Sequence, residues 1–96
     1  MNPAPEDAAR AVLRDHARAP RPYAATTAAM VVAEAARRRA DPPAETSALL
    51  LAATAASECG ADDLVTHIVD RLVVLNGPHA PAALPERVQL ALAERA

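Results

Sequence analysis

Proline and glycine interrupt this sequence often enough to keep every structural element short. They divide the chain into about five segments, at 6–19, 23–40, 43–59, 61–76 and 85–95. Proline ends a helix or occupies its first turn, because its ring fixes φ and removes the backbone N–H donor. No segment alternates apolar and polar residues with the period of two that is typical of a half-buried strand. The pattern therefore predicts an all-α fold of four to five short helices.

The segment 61–76 gives the clearest helical pattern. Its apolar side chains cover about half of the helix circumference at 100° per residue. They are Leu64, Val65, Ile68, Val69, Leu72, Val73 and Leu75. Val74 is the one apolar residue on the opposite, polar side of this helix. A single apolar residue on a polar face is common, but it can also seed a contact with another protein. Val74 is therefore a candidate partner-binding residue.

The residues around two of the interruptions predict how helices begin and end there. Asp41 before Pro42 is typical of an N-cap followed by proline at the first helical position, and Thr46 or Ser47 are alternative caps. Gly60 follows the third segment at the position where a residue in the left-handed conformation commonly ends a helix.

Short helices joined by such turns form either an antiparallel bundle or a stack of helical hairpins. The spacing of the segments does not separate these two arrangements. We expect one compact all-α domain over residues 1–96, built from short antiparallel helices, with irregular proline-rich stretches at 1–5 and 78–84.

The core of this domain must be thin. Alanine accounts for 27 of the 96 residues, and the chain has one Tyr and neither Phe nor Trp. Aromatic side chains bury the largest areas, so their shortage limits stability and favours closely spaced helices. The third segment has no charged residue between Thr46 and Ser57, and a helix without a polar face is usually buried. A partner protein or self-association would supply the missing apolar contact.

Charge is distributed unequally along the chain. Residues 1–40 contain seven Arg and four acidic residues, whereas residues 41–96 contain three Arg and eight acidic residues. This balance disfavours non-specific binding of nucleic acid by the whole chain, although a local patch in the first half can still bind an anion. All ten basic residues are Arg, which together with the many Ala and Pro residues suggests a bacterial genome rich in G and C.

Arg37, Arg38 and Arg39 form the densest cluster of charge. Three adjacent arginines can clamp a phosphate or an acidic partner, but positive side chains also suit the negative end of a helix dipole. A helix-turn-helix DNA reader would place a basic helix after the next turn, and the segment 43–59 contains no basic residue. Nucleic acid is therefore a disfavoured partner, and the three arginines are candidates for binding a protein or a phosphate.

One set of residues has a spacing that could suit a metal ion. Asp63, His67 and Asp70 share one face of the fourth helix. They are weak candidates, because metal sites normally need further ligands and supporting hydrogen bonds from other elements. We expect no bound metal and no cofactor.

Catalytic motifs are not recognisable either. The chain has only two glycines, which excludes a glycine-rich phosphate loop, and no catalytic residue is identified. The single cysteine, Cys59, cannot form an internal disulfide, and we expect a buried thiol in a cytoplasmic protein. The uncharged stretches are too short to span a bilayer, so we expect no membrane association.

These patterns favour binding over catalysis. We expect a small helical protein–protein interaction or regulatory module that self-associates as a homo-oligomer or docks on a larger protein partner. The alternative is a nucleic-acid- or phosphate-binding regulator that uses Arg37, Arg38 and Arg39. A metal-dependent enzyme is the least favoured hypothesis.

Overall fold

A computed structural model describes residues 4–80 and 84–95 of the chain. This part contains five helices and no strand, which confirms the predicted all-α fold. The helices are α1 (Pro5–Arg18), α2 (Pro22–Arg38), α3 (Pro42–Glu58), α4 (Asp62–Asn76) and α5 (Glu86–Arg95). Their ends differ from the predicted segments by at most two residues.

Proline begins each of the first three helices, at Pro5, Pro22 and Pro42. The first helical N–H has no partner within the helix, so proline loses nothing by lacking it. The predicted N-cap of α3 is confirmed, since Asp41 Oδ1 accepts a hydrogen bond from the Ala44 N–H at 3.3 Å. The predicted irregular stretch 1–5 is too long by one residue, because Pro5 already belongs to α1. Residues 1–3 and 81–83 of the predicted irregular stretches lie outside the described residues.

The helices α2 and α3 end in the same way. Ala40 and Gly60 follow them with φ of 54° and 72°, in the left-handed region. In both turns the next residue donates its N–H to a carbonyl of the last helical turn, at 3.0 and 2.9 Å. This Schellman arrangement satisfies carbonyls that would otherwise lack a partner, and it reverses the chain direction within a few residues.

Each helix packs against the next one in the chain, and α3 is central. The most extensive interface joins α2 and α3, and α3 also contacts α4 and α5. The Cα atoms span 46 × 31 × 18 Å. Packed helices lie roughly 8–10 Å apart, so the shortest dimension corresponds to about two layers of helices. The result is a flat arrangement of antiparallel helical hairpins.

Alanine forms most of the α2–α3 interface. The buried alanines are Ala25, Ala28, Ala29, Ala33 and Ala36 on α2 and Ala48, Ala52, Ala53, Ala55 and Ala56 on α3. Small side chains let two helix backbones approach closely, which is how a chain without Phe or Trp can close its core. The largest fully buried side chains come from the later helices: Val65, Ile68 and Leu72 on α4 and Val88 on α5.

Two expectations about burial are wrong. The helix α3 is not buried on all sides, because 54% of Leu51 is exposed and Leu50 lies beside it at the surface. Cys59 is exposed rather than buried, since it is the C-cap residue beyond the packed length of α3. Among the helices of the described residues, none is both long enough and apolar enough to cross a membrane.

Candidate functional site

A bidentate ion pair between α3 and α4 lies at the floor of a groove. Glu45 is on the same side of α3 as the buried Leu49, and only 5% of its side chain is exposed. Arg71 reaches it from α4, where Nε donates to Oε2 at 2.7 Å and Nη2 donates to Oε1 at 3.1 Å. These hydrogen bonds from the cation raise the pKa of Arg71 above its ordinary value. Charge-assisted bidentate pairs fix geometry as well as charge, so this contact sets the position of α4 on α3.

The groove above this pair has a volume of about 350 Å³. Side chains of α2 and α4 form its two walls. They include Met30, Glu34 and Arg37 from α2 and His67, Asp70 and Val74 from α4. The groove therefore combines apolar surface with charges of both signs.

Most of the charge in the groove is neutralised within the chain. Glu34 accepts a hydrogen bond from Arg38 at 3.3 Å, and Glu45 is paired with Arg71. No described residue forms an ion pair with Arg37 or with Asp70. One unpaired cation on the α2 wall thus accompanies one unpaired anion on the α4 wall.

Val74 lies at the rim of this groove. It is 72% exposed, and it shares the outward side of α4 with Asp70 and His67. The candidate residue identified from the sequence therefore lies next to the unpaired charges rather than on an isolated surface.

Each of the three adjacent arginines has a different environment. Arg38 pairs with Glu34 on its own helix. Arg39 donates from Nη1 to both carboxylate oxygens of Glu6 on α1, each at 3.0 Å. Arg37 alone lines the groove. The structure does not bring these side chains together around one anion.

Glu6 joins α1 to the end of α2. Its carboxylate accepts a hydrogen bond from Arg10 at 2.9 Å in addition to those from Arg39. The pKa of Glu6 is lowered by the hydrogen bond from Arg10 and, next in size, by those from Arg39. Arg39 thus holds α1 against the end of α2.

The weak metal candidates do not form a three-ligand site. Asp63 and Asp70 are exposed on α4, as is His67 between them. Within residues 4–80 and 84–95, no three His, Cys, Asp or Glu side chains are grouped closely enough to hold a metal ion.

A second, more apolar groove of about 700 Å³ lies beside the first one along α2. Val31 and Thr27 of α2, Pro5 of α1 and Leu64 of α4 are among its lining residues. Met30 lines both grooves, so apolar surface continues across α2 from one groove to the other.

Sequence reasoning missed the ion pair of Glu45 and Arg71. A signal for Glu45 was present, because it precedes Leu49 by four residues and therefore shares the apolar side of α3. A carboxylate in that position needs a partner. Its partner lies 26 residues later in the chain, and no local pattern identifies a contact over that separation.

The chain matches no protein-family model, and it has no significant match among curated proteins or solved structures.

Proposed function

We propose that this protein is a small helical protein–protein interaction module whose docking surface is the groove between α2 and α4. The observation that carries the proposal is the juxtaposition of Val74, 72% exposed, with the unpaired Arg37 and Asp70 on the two walls. Protein interfaces typically place apolar contact at the centre and charged groups around it. The groove offers both kinds of contact, with the exposed Val74 at its rim and the Glu45–Arg71 pair at its floor.

The mixed charge of the groove favours a protein over a polyanion as its occupant. Binding nucleic acid or phosphate groups requires several available cations. Arg38 and Arg39 are engaged by Glu34 and Glu6, which leaves Arg37 as the unpaired arginine at this place. A protein surface supplies the acidic, basic and apolar groups that the groove can contact together.

The thin core gives an independent reason to expect an interaction. The α2–α3 interface is built from alanine, and burial of each alanine contributes little compared with Leu or Phe. Apolar surface remains exposed at Val74 and Leu51. Covering such surface with a partner stabilises the folded state by mass action.

The proposal is tested by capture of partners with groove variants. Tagged wild-type protein and the variants Arg37→Glu and Val74→Asp are cross-linked in cells, and the captured proteins are identified by mass spectrometry. The control is Arg14→Glu, which makes the same charge change at an exposed position of α1 outside the groove.

We expect a partner, which includes a second copy of this chain, to be captured by wild type and by Arg14→Glu and lost with both groove variants. Equal capture by all four proteins would contradict the proposal. Circular dichroism of each variant checks that its helix content is unchanged.

A further inference from the structure

We infer that the groove binds a second copy of this chain, related to the first by a two-fold axis. The inference rests on the proposed function and identifies the partner. In a two-fold interface the same patch occurs on both sides, so a contact between two residues occurs twice. The patch must therefore be complementary to itself, and the groove can be examined for that property.

The unpaired charges of the groove satisfy this requirement. Arg37 lies on the α2 wall and Asp70 lies on the α4 wall. When the two-fold axis runs along the groove, the α4 wall of the second copy lies opposite the α2 wall of the first. Each Arg37 then faces the partner's Asp70, and the interface gains two attractive pairs.

Neutralisation of the other charges removes the repulsion that would oppose such a dimer. Two facing copies of one surface normally bring like charges together, which is costly. Here Glu34 is paired with Arg38, and Glu45 is paired with Arg71. With Arg37 and Asp70 included, these side chains carry equal numbers of positive and negative charges. Arg38 does not line the groove but pairs with Glu34 beside it, so the groove and this neighbour together carry no net charge.

The apolar contribution comes from the exposed Val74 and the partly buried Met30. Val74 is on the α4 wall and Met30 is on the α2 wall, so the half turn that pairs the charges also brings each Val74 toward the partner's α2 wall. Arg71 is held by Glu45 at the floor, which keeps α4 in place when the second copy docks.

The first test is the oligomeric state of the wild-type protein. Sedimentation equilibrium is measured from micromolar to near-millimolar concentration. We expect a monomer–dimer equilibrium whose Kd increases with salt, because the pairs are near the surface and are screened. A wild-type protein that remains monomeric over the whole range would overturn the inference.

Charge reversal tests which residues meet. Each of the single variants Arg37→Asp and Asp70→Arg places like charges opposite each other twice, so we expect its Kd to rise by roughly ten-fold or more. The double variant carrying both changes exchanges the charges and should return to a Kd within a few-fold of wild type. Arg14→Glu should leave the Kd unchanged.

Mixing the two single variants gives a decisive measurement. In a heterodimer of Arg37→Asp with Asp70→Arg, one copy presents two acidic groups and the other presents two basic groups, so both contacts become attractive. We expect this mixture to dimerise more tightly than either variant alone. A mixture that behaves as the sum of two weakly associating proteins would contradict the two-fold arrangement.

Val74→Asp provides a variant that does not depend on charge exchange. It should weaken the dimer without changing helix content. If the wild-type protein is monomeric but a different protein is captured only through an intact groove, the inference fails and the proposed function stands. If the groove variants also capture the same proteins as wild type, the inference and the proposed function both fail.

Discussion

Ala40 and Gly60 occupy the same position in two successive helix ends, and both have positive φ, 54° and 72°. Asp41, which follows Ala40, donates its N–H to Ala36 O at 3.0 Å, and the residue after Gly60 makes the equivalent bond at 2.9 Å. Glycine adopts this conformation without a steric penalty, whereas alanine places Cβ too close to the backbone. The two turns are the same in geometry and unequal in stability.

Replacing Ala40 by Gly should therefore stabilise the protein by roughly 1 kcal/mol. Gly60→Ala should destabilise it by a similar amount, and only through the backbone, because a Cβ there would meet nothing within 4 Å. Urea unfolding measures both changes. Ala35→Gly, in the last helical turn of α2, is the matched control and should be destabilising by about 0.5–1 kcal/mol. Equal signs for Ala40→Gly and Ala35→Gly would contradict this explanation.

The close approach of α2 and α3 predicts that larger residues are not tolerated between them. Ala52 is fully buried on α3, and Ala52→Leu adds volume for which there is no space. We expect a loss of roughly 1–3 kcal/mol in the free energy of unfolding. Ala8→Leu adds the same atoms at an exposed position of α1 and should change stability by less than about 0.5 kcal/mol. Similar effects of the two substitutions would show that the interface is not tightly packed.

The ion pair at the groove floor predicts strong coupling between its two residues. Glu45→Met leaves Arg71 without its carboxylate, and we expect a clear fall in melting temperature. Adding Arg71→Met should restore most of the loss, since two apolar side chains can pack where two charges were paired. Thermal unfolding of both single variants and the double variant measures this coupling.

Glu34→Gln is the control for this cycle. This substitution removes the ion pair between Glu34 and Arg38. Both of these side chains are largely exposed, so stability should change by less than about 1 kcal/mol. An additive cycle for Glu45 and Arg71 would contradict the role of the pair in holding α4 on α3.

Glu6 predicts a pH dependence of stability at the α1–α2 junction. Hydrogen bonds from Arg10 and Arg39 lower its pKa in the folded state below the ordinary value of 4.5. A group with a lowered folded-state pKa contributes stability above its unfolded pKa, and this contribution is lost as the pH falls through the folded value. The wild-type protein should therefore lose stability below pH 4.5.

Glu6→Gln removes this contribution at all pH values. We expect the variant to be less stable than wild type near neutral pH and to approach it as the pH falls through the lowered pKa of Glu6. Urea unfolding at several pH values measures the difference. Asp7→Asn, next to Glu6 in the first turn of α1, is the control, because no described residue forms an ion pair with Asp7. A constant difference between wild type and Glu6→Gln would contradict the prediction.

The helices could be predicted from the sequence because their ends depend on local chemistry. Proline, the Asp41 cap and Gly60 act within a few residues, and they fix the boundaries closely. The sequence also identified Arg37 and Val74 as candidates, although it did not show that they line one groove.

Features that depend on distant residues could not be predicted. The pairing of Arg39 depends on Glu6 of α1, 33 residues earlier in the chain. The exposure of Leu51 depends on which sides of α3 the neighbouring helices cover. Periodicity describes one helix at a time, and it contains no information about which side of a helix a neighbour covers.

The packing of each helix on its neighbour in the chain has a consequence for folding. Most contacts join residues that are near in sequence, so little chain entropy is lost before contacts form, and folding should be fast, on the microsecond-to-millisecond scale of helical domains. The same packing predicts that backbone amide hydrogens exchange with solvent at different rates in different helices. Those of α3, which has neighbours on several sides, should exchange most slowly, whereas those of α1, held chiefly by α2, should exchange through local opening.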